Sequence, residues 1–496
     1  MSKKILLIRP QNIYNYNNYP PLSLISLASS LKFAGYKVKI INSAFEKDHL
    51  MAIGAELDDA LFAGITILTS EIPDAYNIMR FIKENSNVPV VAGGVHCTLF
   101  PEQVAGSKYV DYVVAGEGEE HVVTIADTLE SGEKPKNKVF IKNMLDLDKL
   151  PMPDYSIDEH INRFIGGYLT DKLSENARKP MRWIPYESSR GCPSKCTFCI
   201  NVVTDNNKYR KKSSAKVISE IEFIVKKYGI THIKFIDDNF FVDIKRVKEI
   251  CLGIIEKGLD ITWDGECRCD YFNDKMLNDE TLELCKKSGL VQFTLGIESG
   301  SPNTLKIMKK GITPEQALFA VKKCNDHKII ARSSFIIEIP GETIEDINQT
   351  VMFINRLRSF PYFTCGIGTF RPYPKCELTE GLIKKGYLTE PDNLEEWTDR
   401  KIIELYTSAE YVRPWQVNGS YSESVAYFIN MESAVRLGNY QIESFIDRIK
   451  NNLFIILARL RNRFLFYRLT IDMELYKKFL TNFYKKRQAQ EKGGKG

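Results

Sequence analysis

Three cysteines, Cys192, Cys196 and Cys199, stand in the stretch Glu187-Ser-Ser-Arg-Gly-Cys-Pro-Ser-Lys-Cys-Thr-Phe-Cys-Ile200 with the spacing CxxxCxxC. A loop can turn thiols so closely spaced toward one point, and soft thiolates are the ligands that iron-sulfur clusters, zinc and copper(I) select. A structural zinc site wants four closed ligands, and no fourth Cys or His lies within a few residues of Cys199. A four-iron, four-sulfur cluster on three cysteines leaves one iron open to a further ligand, so the missing fourth thiol reads as chemistry. The remaining cysteines (Cys97, Cys251, Cys267, Cys269, Cys285, Cys324, Cys365, Cys376) show no such spacing. Cys267 and Cys269 alternate along one strand face and are read as spectators.

With an aromatic, Phe198, just before the last cysteine and a short apolar segment at residues 183–186 ahead of it, the loop resembles the cluster loop of the radical S-adenosylmethionine (SAM) superfamily. The resemblance implies a 4Fe-4S cluster on Cys192, Cys196 and Cys199 with SAM at its open iron. SAM presents an amino group, a carboxylate, a ribose diol and an adenine, so its site needs acceptors, a cation, hydroxyl-binding groups and an apolar slot. Asp237, Asp238 and Asn239 offer acceptors at the position that resembles the family's GGE motif, and Arg268 offers a cation with fork geometry for a carboxylate. Glu298 and Ser299 fit the ribose-binding strand. Each of these acidic residues also has a plainer reading, as the cap of the following helix. Residues 291–311 and Pro340-Gly-Glu-Thr343 resemble the class B, cobalamin-binding branch of the superfamily. Glu338 stands where that branch commonly has glycine; it is expected either to face the substrate or to pair with a neighbour such as Arg332.

The elements that must position these groups follow a βα rhythm. Residues 214–228 carry Val217, Ile221 and Ile224 on one helical face and stop at Gly229. Strand patterns fall at residues 231–236, 261–268, 291–298, 333–340 and 362–370. With the strand before the cysteine loop they make the six units of a partial (β/α)6 radical SAM barrel, whose reactive face lies at the carboxyl ends of the strands. Ahead of it, the runs KILLIR, KVKIIN, FAGITIL, VPVVAGG and YVDYVVAG interleave with helical patterns, which predicts an α/β, doubly wound, Rossmann-like parallel sheet. Ligands in such sheets bind outside the carboxyl ends of the strands. No GxGxxG is present, which argues against a dinucleotide.

Those strand-end loops resemble the cobalamin-binding domain of class B radical SAM enzymes. Gly93-Gly94-Val95-His96 and Gly116-Glu117-Gly118-Glu119 stand where that family has GGxHxT and GEGE, and Pro20-Pro21-Leu22 opens the first helix. The resemblance implies cobalamin contacts from Pro20, Leu22, Ser70, Gly93, Gly94, Gly116 and Glu117, with His96 at the cofactor's periphery. The DxHxxG motif that supplies a lower axial histidine is absent; Asp158 and His160 come nearest, with Arg163 in place of the glycine. Cobalamin is therefore expected base-off, without an imidazole from His49, His96 or His160.

Length points the same way, since 496 residues exceed one ordinary core. The boundaries expected are a cobalamin-binding domain at 1–135, a linker at 136–180, the barrel at 181–385, an α-helical C-terminal domain at 386–490 and a flexible tail at 491–496. The short apolar run after Lys3 and Lys4 does not make a signal peptide, no apolar run reaches the ~20 residues that span a bilayer, and a reduced, cytoplasmic protein is expected. A net charge of +5 names no partner, and nucleic acid is not expected. From Leu453 onward, Arg459, Arg461, Arg463, Arg468, Lys477, Lys478, Lys485, Lys486, Arg487, Lys492 and Lys495 face only Asp472, Glu474 and Glu491. On a helical wheel Arg459 and Arg463 point opposite to Arg461 and Arg468, which splits the polar face. The region reads first as a solvated cap over the barrel, then as an anchor for an anionic substrate, then as a membrane contact.

The activity implied is that of a cobalamin-dependent radical SAM methyltransferase acting on an unactivated carbon of a small molecule, lipid or natural-product precursor. In it a 5′-deoxyadenosyl radical takes a hydrogen from the substrate and methylcobalamin supplies the methyl group. Electrons would come from a reduced flavodoxin or ferredoxin. One alternative keeps the cofactors for cyclisation, ring rearrangement or carbon-carbon coupling without methyl transfer. Another, a cobalamin-binding sensor with a redox cluster, would have no need of Asp237, Asp238, Arg268 and Glu298.

Overall fold

The computed structural model describes residues 4–14, 19–142, 144–165, 181–408, 413–416, 418–436, 445–468 and 471–479. The expectations for the linker at 166–180 and for the tail 491–496, together with Lys485, Lys486 and Arg487, lie outside the described residues.

The aliphatic runs of the first part form β1 (Lys4–Arg9), β2 (Lys37–Asn42), β3 (Ala60–Thr66), β4 (Val90–Gly93) and β5 (Tyr112–Gly116). A further strand, β6 (Val139–Lys142), lies in the stretch read from sequence as linker. Its four residues are too few to signal a strand on their own; they are recruited by the backbone ladder to β5. All six pair in parallel in the order β2-β1-β3-β4-β5-β6. The direction of winding reverses between β1 and β3, and a crevice opens there at the carboxyl ends. The helix Leu22–Phe33 borders it and closes through Gly35, whose φ of 96° is the left-handed exit a glycine allows.

The second sheet begins with β7 (Trp183–Tyr186). Two short strands, β8 (Ser189–Arg190) and β9 (Arg210–Lys211), then pair antiparallel and pinch off the cysteine loop between them. β10 (His232–Phe235), β11 (Thr262–Cys267), β12 (Leu290–Glu298), β13 (Ile330–Ile337) and β14 (Phe363–Thr369) complete a parallel sheet in the order β7-β10-β11-β12-β13-β14. This is the six-stranded open barrel the spacing predicts. The intervening helices are set by side-chain caps, with Ser213, Asp243, Asn278, Thr313 and Thr343 each accepting a first-turn backbone N–H. Trp263, Phe240, Phe241 and Phe293 pack as a buried aromatic group on the sheet.

An open barrel leaves β14 as an exposed edge, a liability that proteins cover. Here the helix Gly419–Arg436 covers it. Asn430 accepts from the Ile367 N–H at 2.9 Å and donates to the Ile367 carbonyl at 2.8 Å, supplying the ladder partner that a seventh strand would have given. Among the described residues no helix is long and apolar enough to cross a membrane.

Candidate functional site

The cysteine loop is held from both ends by adjacent aspartates that face opposite ways, as neighbours leaving a strand do. Asp237 turns inward and accepts from the Ser188 N–H at 2.7 Å and from the hydroxyls of Ser188 and Ser189 at 2.5 Å. Asp238 turns to the loop, accepting from the Gly191 N–H at 2.8 Å and from Asn201 Nδ2 at 2.5 Å. At Gly191, with φ of 80°, an added Cβ would lie 2.1 Å from the Lys208 carbonyl, so the loop closes only around glycine.

The result is a cavity of about 160 Å³ lined by Cys192, Cys196 and Cys199 together with Phe198, Asp238, Asn239, Arg268 and Glu298. Among the described residues no three Cys, His, Asp or Glu side chains converge as a single ion requires; thiols ringing a cavity suit a cluster, in which each sulfur binds its own iron. Burial pushes the Cys199 thiol up to about 11 and raises Cys196 as well, while Lys310 and Arg268 pull Cys196 back down. Asn239 donates to the Tyr271 hydroxyl at 2.9 Å, and its buried Oδ1 has no partner, an acceptor kept for something that enters. Burial raises Asp238 to about 6.

Two side chains that sequence reading did not single out belong to the same cavity. Lys310 is buried and reaches Glu298 Oε1 at 3.1 Å; Glu266 is half-buried, and the loss of water around it raises its carboxyl to about 7. Lys310 stands in an unremarkable Lys-Lys-Gly sequence, and only packing separates it from its exposed neighbour Lys309. Glu298 takes a positive φ of 70° after a register break between Gly296 and Glu298, the kind of bulge that re-aims a side chain beside a site. A Cβ on Gly296 would sit 2.8 Å from Lys310 Nζ and 2.9 Å from Glu298 Oε1, so the pair needs that glycine. Cys267 also borders the cavity, with its sulfur 3.4 Å from the Arg268 carbonyl.

Ser299 is not brought in. It is buried against the helix Ile344–Leu357, sharing a hydrogen bond with the Thr350 hydroxyl at 2.8 Å, because it follows Glu298 and faces the other way. Asp237 is likewise excluded by its three donors. Glu338 is buried at φ 64°, where Gln416 Nε2 donates to it and Arg413 is the nearby cation; Arg332 is not its partner. The sequence could not foresee this, since both partners lie beyond the last strand.

A second cavity, of about 440 Å³, opens in the crevice of the first sheet and is walled by Leu22, Gly93, Gly94, Gly116 and Glu117. Pro20, Ser70 and His96, expected there, are not among its walls. The Pro20 carbonyl accepts from the Leu22 N–H at 2.9 Å, and the Ser70 hydroxyl accepts from Asn12 Nδ2 at 2.6 Å. His96 is fully buried between Phe100 and Trp397, with ring centroids 5.0 Å and 5.2 Å away, and burial lowers its pKa to about 3. A neutral imidazole suits that apolar nest, which the sequence could not reveal because Trp397 comes from a distant segment. Near the incomplete axial motif, Asp158 accepts from the His160 N–H and His160 Nε2 lies 3.4 Å from Glu46.

The two cavities meet. Asn201 and Asp238 line both, and the sheets are joined beside them by an ion cluster. Arg190 reaches Glu117 at 3.0 Å, Glu119 at 2.7 Å and Glu187 at 2.8 Å, while Arg210 reaches Glu117 at 2.7 Å. The GEGE carboxylates thus grip the hairpin that frames the cysteine loop.

The Radical SAM superfamily model matches residues 186–354, and the B12 binding domain model matches residues 13–126. The protein called uncharacterized methyltransferase PH0819 of Pyrococcus horikoshii is 33% identical over 430 residues, covering 80% of this chain and 88% of that one. The anaerobic magnesium-protoporphyrin IX monomethyl ester cyclase of Rubrivivax gelatinosus is 26% identical, over 67% of this chain and 61% of its own length. Among solved structures, the cobalamin-dependent SAM radical enzyme OxsB with aqua-cobalamin and SAM bound superposes with a TM-score of 0.72 at 17% identity, covering 97% of this chain and 75% of that one. The chain belongs to the class B, cobalamin-binding radical SAM family. It is a radical SAM enzyme whose cofactors are a 4Fe-4S cluster, SAM and cobalamin.

The residues present fit those groups. The thiols ring one cavity with an unpartnered acceptor beside them, and the crevice is a glycine-walled slot into which none of the six histidines projects. Electron paramagnetic resonance of protein loaded with cob(II)alamin is accordingly expected to show cobalt lines without the triplet splitting that a lower nitrogen ligand imposes. Triplets would mean that a base occupies the lower face.

Proposed function

We propose that the chain transfers a methyl group to an unactivated carbon of a small-molecule or lipid substrate. The observation that supports this most is the wall shared by the two cavities at Asn201 and Asp238. Methyl transfer needs SAM and cobalamin within reach of each other, and the shared wall meets that need. The similarity to the P. horikoshii methyltransferase over most of both chains leans the same way.

When bound, the cluster supplies the electron that cleaves SAM and cobalamin supplies the methyl carrier; the chain's residues bind, orient and shield. In this reading Cys192, Cys196 and Cys199 hold the cluster. Asn239 Oδ1 and Asp238 accept from the SAM ammonium. Arg268, fixed by Asp270 at 2.9 Å and by the Lys310 carbonyl at 2.9 Å, presents its remaining N–H groups to the carboxylate. Glu298, held by Lys310 and by the Ser334 hydroxyl at 3.2 Å, accepts from the ribose hydroxyls. The glycines of the first crevice let a large cofactor approach the backbone.

Incubating the reconstituted enzyme with methyl-deuterated SAM, a reductant and an extract of the source cells tests the reading. Each labelled product is expected to appear with one S-adenosylhomocysteine and one 5′-deoxyadenosine. Abundant 5′-deoxyadenosine without label transfer or S-adenosylhomocysteine would instead assign the chain to cyclisation or coupling.

A further inference from the structure

The helix Phe445–Phe464 has one buried side and, opposite it, an exposed apolar one. Its inner side, with Asn451, Ile455, Ala458 and Asn462 buried, packs on the helix Gly419–Arg436, where Asn462 Nδ2 reaches Glu432 at 3.1 Å. Its outer side carries Ile449, Leu453, Ile456, Leu460 and Phe464 at 54%, 56%, 51%, 47% and 68% exposure. Steps of four, three, four and four residues keep these side chains on one stripe, roughly 22 Å long at ~1.5 Å per residue. Ile471 and Leu475, later in the chain, are exposed as well, at 71% and 54%. Stripes of this kind on a protein surface mark something that covers them.

The charges beside the stripe identify what that is. Arg459 and Arg463, both exposed, flank it on one side of the helix, Arg459 also reaching Glu432 at 3.6 Å, and Arg468 and Lys478 are exposed in the residues that follow. Arg461, which on a helical wheel splits the polar face, is drawn inward: its Nε and Nη2 bind Asp472 at 2.7 Å and 2.6 Å, and its guanidinium lies 4.9 Å from the Phe428 ring centroid. With Arg461 internal, the exposed surface is an apolar stripe with a cationic border. Among the described residues from Ile449 onward, Glu474 is the one exposed carboxylate, and it lies 3.3 Å from Lys477.

We propose that this face docks the enzyme on the surface of an anionic lipid bilayer, the stripe entering the boundary between headgroups and acyl chains and the arginines meeting the headgroup charge. Packing against an antiparallel second copy would instead run both arginine rows along one edge, where they repel.

Co-sedimentation of the full-length protein with vesicles tests this, one set mixing phosphatidylglycerol with phosphatidylcholine and the other containing phosphatidylcholine alone. Binding is expected to the anionic vesicles, weakening as salt rises. Arg459→Gln/Arg463→Gln should bind roughly thirtyfold more weakly, and Leu453→Ser/Leu460→Ser should lose binding. Leu252→Ser, at a similarly exposed position on the barrel, should bind as the parent does. These side chains are about half exposed, and an unchanged circular dichroism spectrum confirms that the variants are folded. Equal sedimentation by the folded stripe variants and the parent would overturn the proposal, as would no binding to either vesicle. Light scattering that finds a dimer which Leu453→Ser/Leu460→Ser dissociates would assign the face to a second copy instead.

Discussion

Replacing Cys192, Cys196 and Cys199 together by alanine is expected to strip the protein of the iron and sulfide that anaerobic reconstitution installs, and to reduce 5′-deoxyadenosine formation to background. In the proposed reading no substitution of a single polar residue around the cavity should match this, because the three thiolates would be the cluster's covalent hold. Cys376 is the informative control. It is buried close enough to raise concern, with the charge on Cys199 felt at its thiol, yet it lies outside the cavity walls. Cys376→Ala should keep the full iron and sulfide content and its absorbance. A triple variant that retained cluster iron, or a Cys376→Ala protein that lost it, would refute the assignment.

Arg190→Met is expected to produce the largest loss of stability among surface-distant polar changes, about 3–5 kcal/mol, because it strips buried Glu119 of its cation within a partly buried charge cluster. Glu119, only 5% exposed at its side chain, would be left with the Ser26 hydroxyl at 2.7 Å as its remaining partner. Glu117 would keep Arg210. The pH dependence gives the cause away. Burial alone would raise the Glu119 carboxyl, but Arg190 more than compensates and holds it below the usual carboxylate range. A depressed carboxyl contributes stability that is present above its unfolded pKa and is lost as pH falls through the folded value. Without Arg190 burial wins, the carboxyl moves up, and protonation then relieves the variant. The gap in thermal midpoint between parent and variant should therefore shrink on acidification from neutral pH. A gap that stayed constant or widened would show that Arg190 acts through packing of its stem and not through its charge.

The cysteine spacing, the strand-helix rhythm and the glycine-rich strand ends were legible in the chain itself, because each is a local feature: cluster ligands come from one loop, and apolar periodicity follows from the geometry of a single element. That is why residues 183–370 could be read as six βα units and why β1 to β5 were found. Val139–Lys142 was missed because a four-residue edge strand is stabilised by its neighbour β5 and carries little pattern of its own. At strand ends the residue types were informative but their phase was not. Asp237 and Asp238, or Glu298 and Ser299, are adjacent acceptors of similar chemistry, and only the packed sheet decides which of each pair faces the cavity, since successive side chains leave a strand on opposite sides. Contacts between distant segments lay wholly outside the reach of the sequence. The fold set His96 against Trp397, Glu338 against Gln416, Lys310 beside Glu298 and the GEGE carboxylates on Arg190. It also drew Arg461 onto Asp472, turning a helix whose charges looked scattered into one with a single exposed apolar stripe. Local sequence determined which chemistry this protein carries, and tertiary packing decided which of its polar groups are free to perform it, because burial and partnership are properties of the space between elements.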